Sequence, residues 1–286
     1  MKNQKNNMDS TKITKYFKDQ KPPIIHDLKT KYKDPYFPPN LNSIQSKDSK
    51  GNFIDKEEGP SLLEELGISK TEKLTWKRGS DIKQDMKIFN DKITIKEIRQ
   101  GELGDCYFLS SLAALSTLPY LIREKFRLSK PNKFGYLEVI LFIDGEWQII
   151  FIDDYFPYDK SEFVFAKPYE NIFWSIILEK VWAKVNGGYT NIIGGVCEEP
   201  IEALTGFPSE TIQHSKIEKN ELFQIIEKGN RFMLMTASSN EDVDKDDTGI
   251  QSGHAYTIIQ GKKWEEKGIY LIRLRNPWGE GEWKGN

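Results

Sequence analysis

The 286-residue sequence predicts an α+β fold in two unlike lobes, and three observations carry that prediction. Apolar residues recur at helical spacing after Asp105 and again over residues 170–185. The last quarter carries short apolar or β-branched runs with turn residues between them. Gly206 and Pro208 punctuate the chain where the first pattern yields to the second. At ~150 residues per domain, the length also allows about two units. The expected organisation is a polar, flexible tail over residues 1–30, a mainly helical lobe over 31–207, and a lobe of antiparallel sheet over 208–286.

The tail is rich in Lys, Asp, Asn and Ser and has too little apolar surface to offset the entropy of ordering it. Tyr32, Tyr36, Phe37, Pro38 and Pro39 then form a patch able to dock on the body as an extended strap. A helix starts at Asp105, a residue suited to capping, after a Gly104 that frees the turn. Tyr107, Phe108, Leu109, Leu112, Ala113 and Leu115 give it an apolar face, and Pro119 ends it. Runs at 137–143 and 147–152 flank Asp144-Gly145, a hairpin signal. A second helix, over 170–185, places Phe173, Trp174, Ile177, Leu178, Val181 and Trp182 on one face and stops at Asn186-Gly187-Gly188. A shorter helix is expected over 219–228, and strands over 232–236, 255–260 and 269–275.

Composition excludes several function classes. With 41 Lys+Arg against 43 Asp+Glu, the chain carries no basic surplus to wrap nucleic acid or to bind an acidic membrane surface. No apolar run approaches the ~18 residues of a membrane span, and the N-terminus has no secretory signal. Two cysteines exclude a disulfide scaffold and fit a reducing, cytoplasmic setting.

One of those cysteines stands apart. Cys106 falls in the first turn of its helix, where free N–H groups and the helix dipole favour a thiolate. A lone cysteine is more often an inert buried thiol. Here, however, the approach Gln100-Gly101-Glu102-Leu103-Gly104-Asp105 can fold the Gln100 amide back beside the Cys106 N–H, as an oxyanion hole requires. Of three histidines, His26 and His214 lie among polar residues, whereas His254 opens a β-run. If residues 255–260 and 269–275 pair as a hairpin centred at 265, His254 and Asn276 become near cross-strand neighbours on one face. A slip of one residue would separate them. Asn beside imidazole fixes tautomer and ring orientation. The order is Cys, His 148 residues later and Asn 22 after that, a papain-like Cys-His-Asn arrangement.

Three motifs then make a resemblance specific. The stretch from Gln100 through Asp105-Cys106-Tyr107-Phe108-Leu109, the Gly253-His254-Ala255-Tyr256 run, and Arg275-Asn276-Pro277-Trp278-Gly279-Glu280-Gly281-Glu282-Trp283 resemble, in order, the nucleophile, histidine and asparagine motifs of the calpain family. Lys33-Asp34-Pro35-Tyr36-Phe37-Pro38-Pro39 and Asn171-Ile172-Phe173-Trp174-Ser175 are similar to it as well. The resemblance implies a papain-like cysteine endopeptidase core acting on protein or peptide substrates. In that core Cys106 is the nucleophile, His254 the base, Asn276 the orienting group and Gln100 part of the oxyanion hole. It also implies that Gly195 and Gly253 meet the substrate backbone and that Trp278 covers the His–Asn pair. Tyr107 stands where the family usually has Trp.

The resemblance further implies regulatory calcium and no organic cofactor. The positions matching first-lobe calcium ligands are the Asn90 and Lys92 carbonyls, Glu97 and Ile172. Ile172 supplies no oxygen, which weakens a site for a cation wanting 6–8 of them. Glu282 matches a second-lobe ligand, and that lobe is expected to be cut short, with accessory domains missing. The acidic run at 241–247 misfits an EF-hand loop and reads as a solvated loop bordering the cleft. The alternative to an enzyme is a catalytically silent core of the same family.

Overall fold

The computed structural model describes residues 30–45, 74–159, 162–229, 232–241 and 249–280. The expected tail at 1–29, the acidic run from 242 to 247 and Glu282 lie outside those residues. In chain order the main elements are strand β1 (Leu74–Arg78), helices α1 (Cys106–Leu115) and α2 (Pro119–Glu124), and strands β2 (Tyr136–Ile143), β3 (Glu146–Asp153), β4 (Tyr155–Asp159) and β5 (Glu162–Phe163). Helices α3 (Trp174–Val185), α4 (Glu198–Thr205) and α5 (Lys219–Gly229) follow, then strands β6 (Thr236–Ser238), β7 (Ala255–Trp264) and β8 (Ile269–Arg275). The antiparallel sheets are β1-β4-β5, β2-β3 and β6-β7-β8. The class is α+β. The part before residue 208 holds more strand than its sequence signals, because β1 finds its partner β4 some 80 residues away.

The core forms around α1 and α3. Every residue of α1 after Cys106 is buried, as is the whole of α3, so both are enclosed helices rather than amphipathic surface ones. The Phe108 and Trp182 rings stack between them at 5.5 Å. Helix α3 starts at Trp174, later than its apolar spacing predicts. Glu170 turns the chain at φ 57°, and Asn171 and Phe173 pair with the backbone of Lys87 instead. Pro119 does more than end α1: it opens α2, where its missing N–H costs nothing. Asp144 (φ 50°) and Gly145 (φ 82°) make the expected two-residue turn between β2 and β3.

Charge also reaches the interior. Lys180 of α3 is fully buried against Asp153, and Lys184 binds Asp34 at 2.8 Å and the Phe151 carbonyl at 2.6 Å. Asp34 belongs to the strap, which docks as expected. Its carboxylate accepts the N–H groups of Tyr36 and Phe37, and Phe37 packs on Tyr189 at 5.8 Å.

The β7–β8 hairpin differs from the simplest register. Pairing runs from Trp264↔Ile269 back to Gln260↔Arg273, then shifts to Ile258↔Leu274 and Thr257↔Arg275. Ile259 is the extra residue of a bulge. Carried onward, this register sets Asn276 opposite Tyr256 and two positions from His254. A two-residue offset preserves the face, so the expected neighbours still meet. Among the described residues no helix is long and apolar enough to cross a membrane.

Candidate active site

The site forms where α1 meets β7. Ser110 Oγ donates to the Ala255 carbonyl (2.9 Å), and Thr257 Oγ1 donates to the Ser110 carbonyl (2.7 Å). All three residues are buried. This reciprocal pair fixes the helix carrying Cys106 to the strand that follows His254. The backbone at Ala255, across the junction, and at Tyr107 favours the thiolate form of Cys106. Burial pushes that thiol up nonetheless, and the Asp105 charge adds to the effect.

His254 is buried on β7's leading edge, and its Nε2 lies 3.0 Å from Asn276 Oδ1. The same Oδ1 accepts the Trp278 N–H at 3.1 Å. A backbone N–H can only donate, so this atom of Asn276 is the acceptor and the His254 Nε2 must carry the hydrogen. The lone pair is then left on Nδ1. Trp278 packs on the imidazole, its ring 4.8 Å from that of His254, and Tyr256 meets it edge-on at 4.9 Å. Burial lowers the pKa of His254, and the Asn276 contact partly restores it. Thiol and imidazole are therefore both shifted toward their neutral forms, and no hydrogen bond joins Cys106 Sγ to the ring among the described contacts.

Gln100 sits on the approach to Cys106. Its backbone N–H donates to the Pro277 carbonyl (3.0 Å), and its Nε2 donates to the Leu103 carbonyl (2.7 Å). The second Nε2 hydrogen is not used by that contact. Gly195 is exposed beside Tyr107, and a Cβ there would stand 2.6 Å from the Tyr107 ring. The aromatic residue after the nucleophile thus demands glycine at 195. Gly253, also exposed, holds φ +58° just before His254, a conformation that side chains disfavour.

Asp105 is the N-cap residue of α1, as expected, but its side chain makes no capping hydrogen bond. Its carboxyl group is fully buried and meets Glu179 of α3 as a hydrogen-bonding partner. Apart from Glu179, no described residue offers an N–H or O–H to either Asp105 oxygen. Burial pushes Asp105 up to about 7 and Glu179 well above its ordinary range, so both carboxyl groups hold their protons more tightly than free ones do. Asp105 immediately precedes the nucleophile in the chain. Sequence reasoning missed Glu179, Ser110 and Thr257. The available signals were a Ser-Ser pair inside an apolar helix and a carboxylate in the middle of another.

The first-lobe candidate calcium positions do not fit the ion. Glu97 is buried, with Oε1 accepting the Thr94 N–H (3.2 Å) and Oε2 the Trp174 Nε1–H (2.5 Å). Ile172 is wholly buried and apolar. The Asn90 carbonyl is taken by Arg123. Among the described residues no group of three or more His, Cys, Asp or Glu is arranged to hold a metal.

A family profile described as calpain family cysteine protease matches residues 32–286. The rat calpain-1 catalytic subunit is 34% identical over 266 residues, covering 89% of this chain and 35% of that protein. The human calpain-1 catalytic subunit is 34% identical over 268 residues, and the human calpain-2 catalytic subunit 35% over 242, covering 90% and 79% of this chain. The chain spans about a third of the length of the relatives it matches.

Proposed function

The chain belongs to the calpain family of cysteine proteases, and from that premise we propose that it is the catalytic core of an endopeptidase that cleaves protein substrates through Cys106, His254 and Asn276. His254 Nδ1 takes the Cys106 proton, and the thiolate attacks the scissile carbonyl. The oxyanion is held by the Cys106 N–H and the free hydrogen of the Gln100 amide. The imidazolium then returns its proton to the leaving amine, and water, deprotonated at Nδ1, hydrolyses the thioester. Gly195 and Gly253 offer backbone to an extended peptide, and Trp278 keeps water from the His–Asn contact. The observation that carries this reading is the Asn276 Oδ1 shared between His254 Nε2 and the Trp278 N–H, which selects the tautomer the mechanism needs.

The two-lobe division near residue 207 and a cytoplasmic setting belong to the same proposal. Calcium control, on this reading, resides in the second lobe, where Glu282 matches a ligand position. One observation favours the silent alternative: thiol and imidazole are both held neutral, without a hydrogen bond between them. Catalytic hydrogen bonds commonly tighten only on substrate binding, so the enzyme is the stronger reading. Hydrolysis of an unfolded protein substrate by the parent and by Cys106→Ala, with and without calcium, decides between them. Activity in the parent alone supports the enzyme; activity in both removes Cys106 from the mechanism; activity in neither supports the silent core.

A further inference from the structure

Arg123 stands in the last turn of α2 and faces the loop that leads toward the nucleophile. Its Nη2 donates to two successive carbonyls of that loop, Asn90 at 2.7 Å and Asp91 at 2.8 Å. The guanidinium also lies over the Phe89 ring, 5.2 Å from its centroid, and Phe89 packs edge-on against Phe126 at 4.8 Å. Its charge is felt by the Glu97 carboxylate, which is bound to Thr94 and Trp174. Two successive carbonyls turned toward one position, with the Glu97 charge within electrostatic reach, make an oxygen-rich nest, and a cation already belongs to it.

The loop is held on either side of this contact. Before it, Lys87 and Ile88 pair with the backbone at Asn171, Phe173 and Trp174. After it, Glu97 ties the turn Ile95–Glu97 to Trp174, and the Ser175 hydroxyl donates to the Glu97 carbonyl at 3.1 Å. The chain then runs through Ile98, whose carbonyl accepts from Arg275, to Gln100 beside Pro277. A displacement at residues 90–91 would therefore pass to the groups beside the nucleophile.

We propose that the Arg123 guanidinium is a built-in cation for this loop, doing covalently what the family resemblance assigns to calcium, so that the nucleophile-bearing half orders without the metal. The buried Ile172 and the fully engaged Glu97 agree with a position that has given up a divalent ion. A guanidinium fits such a nest because it is always charged and presents several donors in one plane. The inference concerns the calcium side of the proteolytic reading and rests on its family comparison. Its test reads loop protection rather than hydrolysis, so the two fail separately.

The experiment is hydrogen–deuterium exchange on the full chain, followed at peptides covering residues 89–100, with chelator or with millimolar calcium. In the parent, exchange over this loop should be the same in both conditions. In Arg123→Gln, a surface substitution that leaves the core intact, exchange at the same peptides should rise by about tenfold while the α1 and α3 peptides stay protected. Calcium-dependent protection of this loop in the parent would overturn the proposal. So would a variant loop that exchanges as slowly as the parent's.

Discussion

At the scale of residues, the site depends on where a few protons sit. Asn276 favours the imidazolium, since its contact raises a His254 pKa that burial lowers. Asn276→Ala should therefore lower that pKa further, which a histidine NMR titration can follow among only three histidines. It should cut kcat by more than about tenfold, but by less than the roughly 10²–10⁴-fold expected for losing the base in His254→Ala. The Asp105–Glu179 pair makes a second prediction. Asp105 is raised from 3.8 to about 7, so the folded chain keeps a proton that the unfolded chain gives up. That contribution to stability is full below pH ~4 and is lost as pH rises through about 7. Glu179→Gln supplies a permanent N–H to Asp105. Urea unfolding from pH 5 to 8 should show the variant gaining on the parent, by up to ~1.4 kcal/mol per pH unit for each proton involved. Parallel profiles would contradict a proton retained by the pair.

At the scale of elements, the junction of α1 and β7 sets the catalytic geometry. Ser110 and Thr257 exchange hydrogen bonds across it in the interior. Thr257→Val keeps the shape but leaves the Ser110 carbonyl without that donor, at an expected cost of about 1–3 kcal/mol. Chemical denaturation should show that loss, and kcat should fall more than KM rises because Cys106 and His254 lose their common reference. An unchanged kcat would mean that the junction holds the fold but not the site. Much of this level was legible in the sequence. The Asp144-Gly145 hairpin, the helix through Trp174 and the strand behind His254 all follow from local pattern and turn chemistry. The strand β1 was not legible, because five residues reveal nothing about a partner near position 157. The bulge at Ile259 was not legible either, and it is this one-residue shift that returns Asn276 to the face of His254, since without it Asn276 would fall opposite Thr257. The partners of Asp105 and Glu97 are set by tertiary burial, which local patterns do not report.

At the scale of the whole molecule, buried charge binds the strap to the body. Asp34 meets Lys184 at 2.8 Å, and its N–H donates to Asp153, the partner of Lys180. Asp34→Ala would leave Lys184 charged and buried without its counter-ion, at a cost of about 3–5 kcal/mol that urea unfolding would register. The same network places α3, and through Glu179 and Asp105 it reaches the turn that presents the nucleophile. The account as a whole rests on Cys106 being that nucleophile, and the chain's other cysteine, Cys197, provides an internal comparison. Burial pushes Cys197 up as well, and the Ser111 hydroxyl donates to its backbone carbonyl at 3.4 Å. The most direct measurement is the intact mass and peptide map of the protein after reaction with a peptide-like, thiol-directed electrophile, alongside His254→Ala. With Cys106 as nucleophile, a single adduct forms on Cys106, much more slowly in the His254 variant. An adduct on Cys197 in preference to Cys106, or labelling of Cys106 at the same rate without His254, would contradict it.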